Sequence, residues 1–247
     1  MLMISSNAAI IAELAPGGVL RAAINLGNVV LAHDDPQEGP SGVTVDLARA
    51  LAAQLGLPLE LIAYPTAGAV IPGLLRDRWD IAFLAAEPER AALVRFTAPY
   101  VYIDATYLVR QDAPFQAADA LDVPGVRIAV GKGAAYDLAL TRRLQAATLV
   151  RAATSAAAID QFMADGLEAA AGIRQALDDA ANAHPGYRVL ADRFSRVEQG
   201  MAVPQGRETA ATYVADFLEA QKRSGFIRGA LDRHGQGSAT VADAAPS

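Results

Sequence analysis

The sequence predicts an α/β protein of two lobes, each a largely parallel sheet covered by helices, and three observations carry that expectation. Apolar extended runs alternate with helical stretches in a β-α-β-α-β rhythm of roughly 30 residues per unit, the signature of parallel strands joined by crossover helices. The rhythm breaks near residue 105 and resumes near residue 127. Two further extended runs, near 105–111 and 197–204, read as a double-strand hinge between halves that face one another across a cleft. This assigns residues 1–108 with 204–247 to lobe 1 and residues 109–203 to lobe 2.

The elements follow in order. Residues 1–16 are weakly amphipathic and read as a helix from Ser5 or Ser6 that ends before Pro16. Residues 19–25 form a strand, followed by a loop through Asn28 and a turn-rich excursion over 33–41. Residues 44–55 place Val45, Ala48, Leu51, Ala52 and Leu55 on one helical face, with Gly56 as the stop. A strand over 59–64, a helix over 67–76 and a strand over 79–85 complete the first module. In the second, 127–130, 149–151 and 169–171 are strands, and 134–145 and 155–164 are helices. Helices over 208–224 and 226–234 close the fold, and the small, polar tail from Gly235 reads as disordered.

Composition narrows the function. The chain of 247 residues is 53% hydrophobic and 19% charged, enough for a large core. Mean hydropathy is +0.21, an excess that comes from alanine, and no run approaches the roughly 20 apolar residues of a membrane span. A net charge of −6, with scattered basic residues, disfavours nucleic acid. Cysteine is absent, so disulfides, thiolate nucleophiles and cysteine-based metal sites are excluded. His33, His184 and His234 fall in loop-like or terminal sequence without metal-ligand spacing and read as solvated. The first residues lack the basic segment and apolar core of a secretory signal.

The most informative stretch is Glu87-Pro-Glu-Arg90 through Phe96-Thr-Ala-Pro-Tyr100, after the apolar run Asp80–Ala85. Pro88 suits the first turn of a short helix. An arginine on such a helix, at the exit of a strand, offers a planar fork that matches a carboxylate. A surface ion pair with Glu87 or Glu89 is the plainer alternative. Gly131-Lys-Gly133 before a helix is a second anion-suited feature, since helix-start amides attract negative charge. An ordinary strand-to-helix turn explains Gly131 equally simply, and Gly133 less well.

In order and spacing, several segments together resemble the type II periplasmic solute-binding proteins of bacterial family 3, the polar-amino-acid binders. They are Leu20-Arg-Ala-Ala-Ile24, Gly42-Val-Thr-Val-Asp46, Trp79-Asp80-Ile-Ala, Glu89-Arg90 with Phe96-Thr-Ala-Pro-Tyr100, Gly131-Lys-Gly133 and Asp165-Gly-Leu-Glu168. The resemblance covers about Val19 to Arg233 and implies the type II binding-protein fold. It implies that Arg90 grips a ligand carboxylate and that Gly133, Ala134 and Ala135 add amides from the second lobe.

The residues also depart from the family pattern. Gly172 stands where these binders carry, just after a strand, the acid that holds the ligand ammonium. Ala82, Phe83 and Ala85 replace the usual hydroxyl side chains, Glu87 a threonine, and Asn28 the aromatic residue that stacks on the ligand. Glu87 is the replacement candidate for the ammonium, with a helix-start carboxylate as its plainer reading. Arg174 or Gln175 are candidates for a second acidic group, with a solvated helix residue as the plainer reading of Arg174. Lys132 reads as either a cleft residue or an exposed turn lysine, and Tyr136 as either a pocket wall or helix packing.

The expectation is a non-enzymatic protein that captures a small carboxylate-bearing ligand, amino acid or organic acid, between two closing lobes for an ABC-transporter permease. It is expected to be a monomer without cofactor, metal or nucleic acid. The resemblance implies a periplasmic location, whereas a native start at Met1 implies a cytoplasmic one. The alternatives are a cyclohexadienyl-dehydratase-like enzyme using Glu87 as acid or base, and a transporter-independent ligand sensor.

Overall fold

The computed structural model describes residues 2–245, which divide into two compact units. One runs up to Tyr102 and resumes at Glu198, and the other is Ile103–Val197. In chain order the first elements are α1 (Leu2–Leu14), β1 (Leu20–Asn25), β2 (His33–Asp35), β3 (Gly39–Ser41), α2 (Val43–Leu55), β4 (Leu59–Tyr64) and α3 (Ala67–Leu74). There follow β5 (Ile81–Ala85), α4 (Pro88–Ala91), β6 (Val94–Phe96), β7 (Val101–Arg110), β8 (Arg127–Gly131), α5 (Ala135–Arg143) and β9 (Thr148–Ala152). The chain continues with α6 (Ser155–Ala164), β10 (Ala169–Ile173), α7 (Arg174–Ala183), β11 (Tyr187–Val189), β12 (Ser195–Pro204), α8 (Glu208–Arg223), α9 (Phe226–Arg233) and β13 (Thr240–Val241). It leaves the first unit within β7 and returns to it within β12. Helix α1 begins before the expected Ser5 or Ser6, whose side chains lie outside the described ones.

In the first unit the strand order is β4-β1-β5-β12. β1 is parallel to both neighbours, with Leu20 opposite Leu59 and Ala22 opposite Ile81, and β12 is antiparallel to β5. Strands covered on both faces must be apolar throughout, and β5 is buried at every position. Helix α2 buries Val45, Ala48, Leu51, Ala52 and Leu55, the face its periodicity predicts, and Gly56 ends it in the left-handed conformation at φ 66°. Trp79 sits in the core with Ala23, Val70, Leu84 and Val94, and its indole N–H donates to the Val70 carbonyl at 2.8 Å.

Asp80, at the entry to β5, is completely buried. It accepts from Arg21 Nε at 2.8 Å, Arg21 Nη2 at 2.9 Å, the Arg21 amide at 3.2 Å and Arg207 Nη1 at 3.0 Å. Burial alone would push this carboxyl up, but the two guanidiniums outweigh it and hold the group below the usual aspartate value.

In the second unit β10 lies between β7, antiparallel to it, and β8, parallel to it, with β9 parallel to β8 beyond. β11 is antiparallel to β7. Phe162, Leu167 and Leu177 pack on Leu108, Ala129, Ala158 and Ala170. Thr154 caps α6 by accepting the Ala157 N–H at 3.0 Å.

The tail from Gly235 does not match the expected disorder. Thr240 and Val241 pair with Tyr102 and Val101, and the Ala242 amide donates to the Tyr100 carbonyl at 2.9 Å. Arg228 donates to the carbonyls of Gly237 and Ala239. Backbone pairing and one arginine order a segment whose small side chains give no apolar signal.

Asp80→Asn is expected to lower stability at pH 7 by about 2–3 kcal/mol, the cost of taking the buried anion from two partly buried arginines. Because folding depresses the Asp80 pKa, its contribution is present above the unfolded value and is lost as pH falls through the folded one. Urea unfolding should therefore show the gap between wild type and variant narrowing below about pH 4. A gap independent of pH would show that the carboxylate charge is not what holds these elements.

Candidate functional site

In each unit the candidate residues gather at the carboxyl edge of parallel strands, where open α/β sheets place their ligands. In the first unit Asn28 follows β1, and Ala85, Glu87 and Arg90 follow or end the adjacent parallel strand β5. Pro88 occupies the first turn of α4, as its missing N–H favours. That turn brings Arg90 back over the strand end, where Nη1 donates to the Ala85 carbonyl at 3.0 Å. Arg90 is only 4% exposed. Burial pushes its guanidinium down to about 10, and the charges of Glu87 and Glu89 pull only partly the other way. It remains a cation at neutral pH, largely stripped of water. The surface ion pair considered from sequence does not describe a buried residue.

Glu87 is buried at 9% exposure, and its side chain makes no capping bond to the helix. It does stand at the N-cap of α4, the helix-start position of the plainer reading, where its charge favours the helix dipole. Asn28 is also buried, with its Oδ1 accepting the Val30 amide at 3.2 Å and its carbonyl accepting from Leu31 and Ala32. It shapes the loop as a turn residue. Phe83 is 1% exposed and pairs with Met201 across the sheet, so it belongs to the core.

In the second unit the turn Gly131-Lys-Gly133 follows β8, and Arg174 follows the adjacent parallel strand β10. Lys132 is exposed, and its amide donates to the Ala152 carbonyl at 2.9 Å. A Cβ on Gly131 would lie 2.9 Å from the Ser155 backbone, so the turn needs glycine there. Gly133 takes the left-handed φ of 74°, and its amide donates to Asp137 Oδ2 at 2.8 Å. The expectation that this amide offers itself to a ligand is corrected: an internal carboxylate has taken it. The Ala134 amide turns back to the Gly131 carbonyl at 3.2 Å. Ala135 opens α5, where the first N–H groups lack intrahelical partners. Tyr136 is 4% exposed and donates to Ser155 Oγ at 2.7 Å, and burial pushes its hydroxyl up to about 12, keeping it neutral.

Two further expectations change. β10 runs to Ile173, so Gly172 lies inside the strand and Arg174 is the first residue beyond it. The side chain of Leu177 fills the space beside Gly172, where a Cβ would lie 2.9 Å from Leu177 Cδ2. Arg174 donates to the carbonyls of Leu190, Ala191 and Asp192 at 2.9–3.0 Å. Its guanidinium is committed to that loop, neither solvated nor directed to a second acidic group. His234 is not a solvated histidine but lies 3.1 Å from Asp46 Oδ2, with the His33 ring 5.9 Å away. Among the described residues no group of three His, Asp or Glu is arranged to hold a metal.

Sequence reasoning missed Asp137. Oδ1 of this residue also accepts Arg151 Nε at 2.9 Å. An acidic residue four positions after a left-handed glycine, on the first turn of a helix, was the available signal. Two groups suited to recognising an anion stand out, a buried cation in one unit and a helix start in the other.

Gly172→Ala should cost about 1–3 kcal/mol, since overpacking forces a fully buried leucine to move. In a Leu177→Ala background the same substitution should cost less than it does in wild type, read by thermal unfolding. An equal cost in both backgrounds would mean that contact with Leu177 is not the reason for glycine.

Comparisons with known proteins agree with this architecture. The family model described as bacterial extracellular solute-binding proteins, family 3, matches residues 20–236. A cyclohexadienyl dehydratase of Pseudomonas aeruginosa is 27% identical over 227 residues, covering 85% of this chain and 80% of that protein. The ancestral amino acid-binding protein AncCDT-1, described as a precursor of cyclohexadienyl dehydratase, matches with a TM-score of 0.76 at 24% identity, over 90% of this chain and 97% of that one. The amino acid ABC transporter substrate-binding protein AbpA from Streptococcus pneumoniae, bound to L-arginine, matches with a TM-score of 0.77 at 18% identity, over 91% and 98%. The fold is thus the type II periplasmic binding-protein fold, and the chain belongs to the bacterial extracellular solute-binding proteins of family 3.

Proposed function

We infer that this protein binds a small carboxylate-bearing solute, an amino acid or an organic acid, with Arg90 as its anchor. One observation carries the reading: a guanidinium 4% exposed at the exit of β5, its charge costly to bury and only partly answered by Glu87 and Glu89. An incoming carboxylate supplies further compensation, bidentately and in a water-poor setting. Glu87 takes the ligand ammonium where there is one, and Asn28, Phe83 and Ala85 shape this half. The second unit contributes the amide of Ala135 at the start of α5, with Tyr136 as a wall and Lys132 at the rim. Gly133 shapes the turn before α5, Gly172 makes room only for Leu177, and Arg174 acts only by holding its loop. The bound protein delivers its solute to an ABC-transporter permease outside the cytoplasm, a role supported by the family description and the arginine-bound relative.

A dehydratase activity is the second reading, favoured by the 27% identity to the Pseudomonas aeruginosa enzyme. Glu87 is then the proton-transfer group.

Calorimetric titration with the common amino acids and simple organic acids should find at least one ligand. Arg90→Ala should weaken it by about 10- to 100-fold, the loss of a charge-assisted hydrogen-bond pair. Unchanged affinity would falsify the anchoring role. Incubation with prephenate or arogenate should leave their spectra unchanged, and turnover abolished by Glu87→Gln would establish the second reading instead.

A further inference from the structure

Asp137 does more than end a turn. It is 4% exposed and stands on the first turn of α5, bent back so that Oδ2 accepts the Gly133 amide at 2.8 Å. Its Oδ1 accepts Arg151 Nε, from β9, at 2.9 Å, and Arg151 Nη2 donates to the Thr141 hydroxyl at 2.7 Å. That hydroxyl in turn donates to the Asp137 carbonyl at 2.7 Å. The turn, the helix and the neighbouring strand are thereby locked together around a Gly133 held at φ 74°.

Holding the Gly133 amide does not require a charge, since asparagine or serine accepts such a bond as well. The charge has a separate consequence. The Asp137 side chain is 5% exposed and that of Arg151 39%, so solvent screens the cation far more than the anion. A net negative field is left beside the amide of Ala135, the first of α5.

We propose that Asp137 is a positioning residue that acts in two ways. It fixes the turn that presents the Ala135 amide, and the Asp137 charge lowers the affinity of that amide for a carboxylate so that bound solute leaves quickly. This rests on the reading that a ligand carboxylate reaches the start of α5. Asp137→Asn keeps the acceptor for Gly133 and removes the charge, whereas Asp137→Ala removes both. The two variants should move affinity in opposite directions.

The test is calorimetric titration of L-arginine, L-glutamate and succinate into wild type, Asp137→Asn and Asp137→Ala, with release followed by stopped flow and stability by thermal unfolding. For each probe that wild type binds, Asp137→Asn should bind about fivefold tighter, the size expected from removing a like charge a few ångströms away. The gain should lie in slower release, and the melting temperature should fall through loss of the Arg151 pair. Asp137→Ala should bind more weakly than wild type and melt lower still. A purely structural Asp137 would lower affinity and stability together in both variants, and equal or weaker binding by Asp137→Asn would overturn the proposal. Failure of wild type to bind any of the three would instead remove the carboxylate reading on which it rests.

Discussion

A carboxylate with no exposed surface survives only among cations, and Asp80 meets two of them from distant parts of the chain. Arg21 brings β1 and Arg207 brings the approach to α8, so one buried anion fixes three segments at the entry to β5. Everything at the exit of β5 inherits that placement. Ala85 ends the strand, Pro88 starts the short helix, and Arg90 folds back to the Ala85 carbonyl. The site residue is aimed by a strand, and the strand is held by an ion cluster at its opposite end.

Two buried charges of this unit, Asp80 and Arg90, are handled differently, and the difference separates scaffold from site. Asp80 is held below the ordinary aspartate range because its arginines more than offset its burial. Arg90 is pushed below the ordinary arginine range because its surroundings do not. A charge left partly uncompensated costs stability in the protein alone and gains when an opposite charge arrives, which is the energetic form of a binding site. In the second unit the same logic runs through Asp137, whose carboxylate already occupies one amide of the turn before α5.

Much of the fold was legible because its signals are local. Helix α6 falls on the expected residues 155–164, with Thr154 as its cap, and α2 buries the face its spacing marks out. The order of markers around Arg90 led to the family, and the residue proves buried at a strand exit. What escaped depends on partners far away in sequence. β10 continues past Ala171 because β7 pairs with it as far as Ile173, which no property of Gly172 announces. Arg174 looks like a solvated helix arginine until the loop at 190–192 presents three carbonyls. The tail from Gly235 is too small and polar to predict its own pairing with β7.

Whether Arg90 carries its buried charge for a ligand carboxylate can be seen in a crystal structure of the protein with the solute that titrates most tightly. The carboxylate should be bridged by both terminal nitrogens of the Arg90 guanidinium, at charge-assisted distances of about 2.7–2.9 Å. A solute bound elsewhere, with the Arg90 guanidinium still turned only to protein groups, would contradict that role.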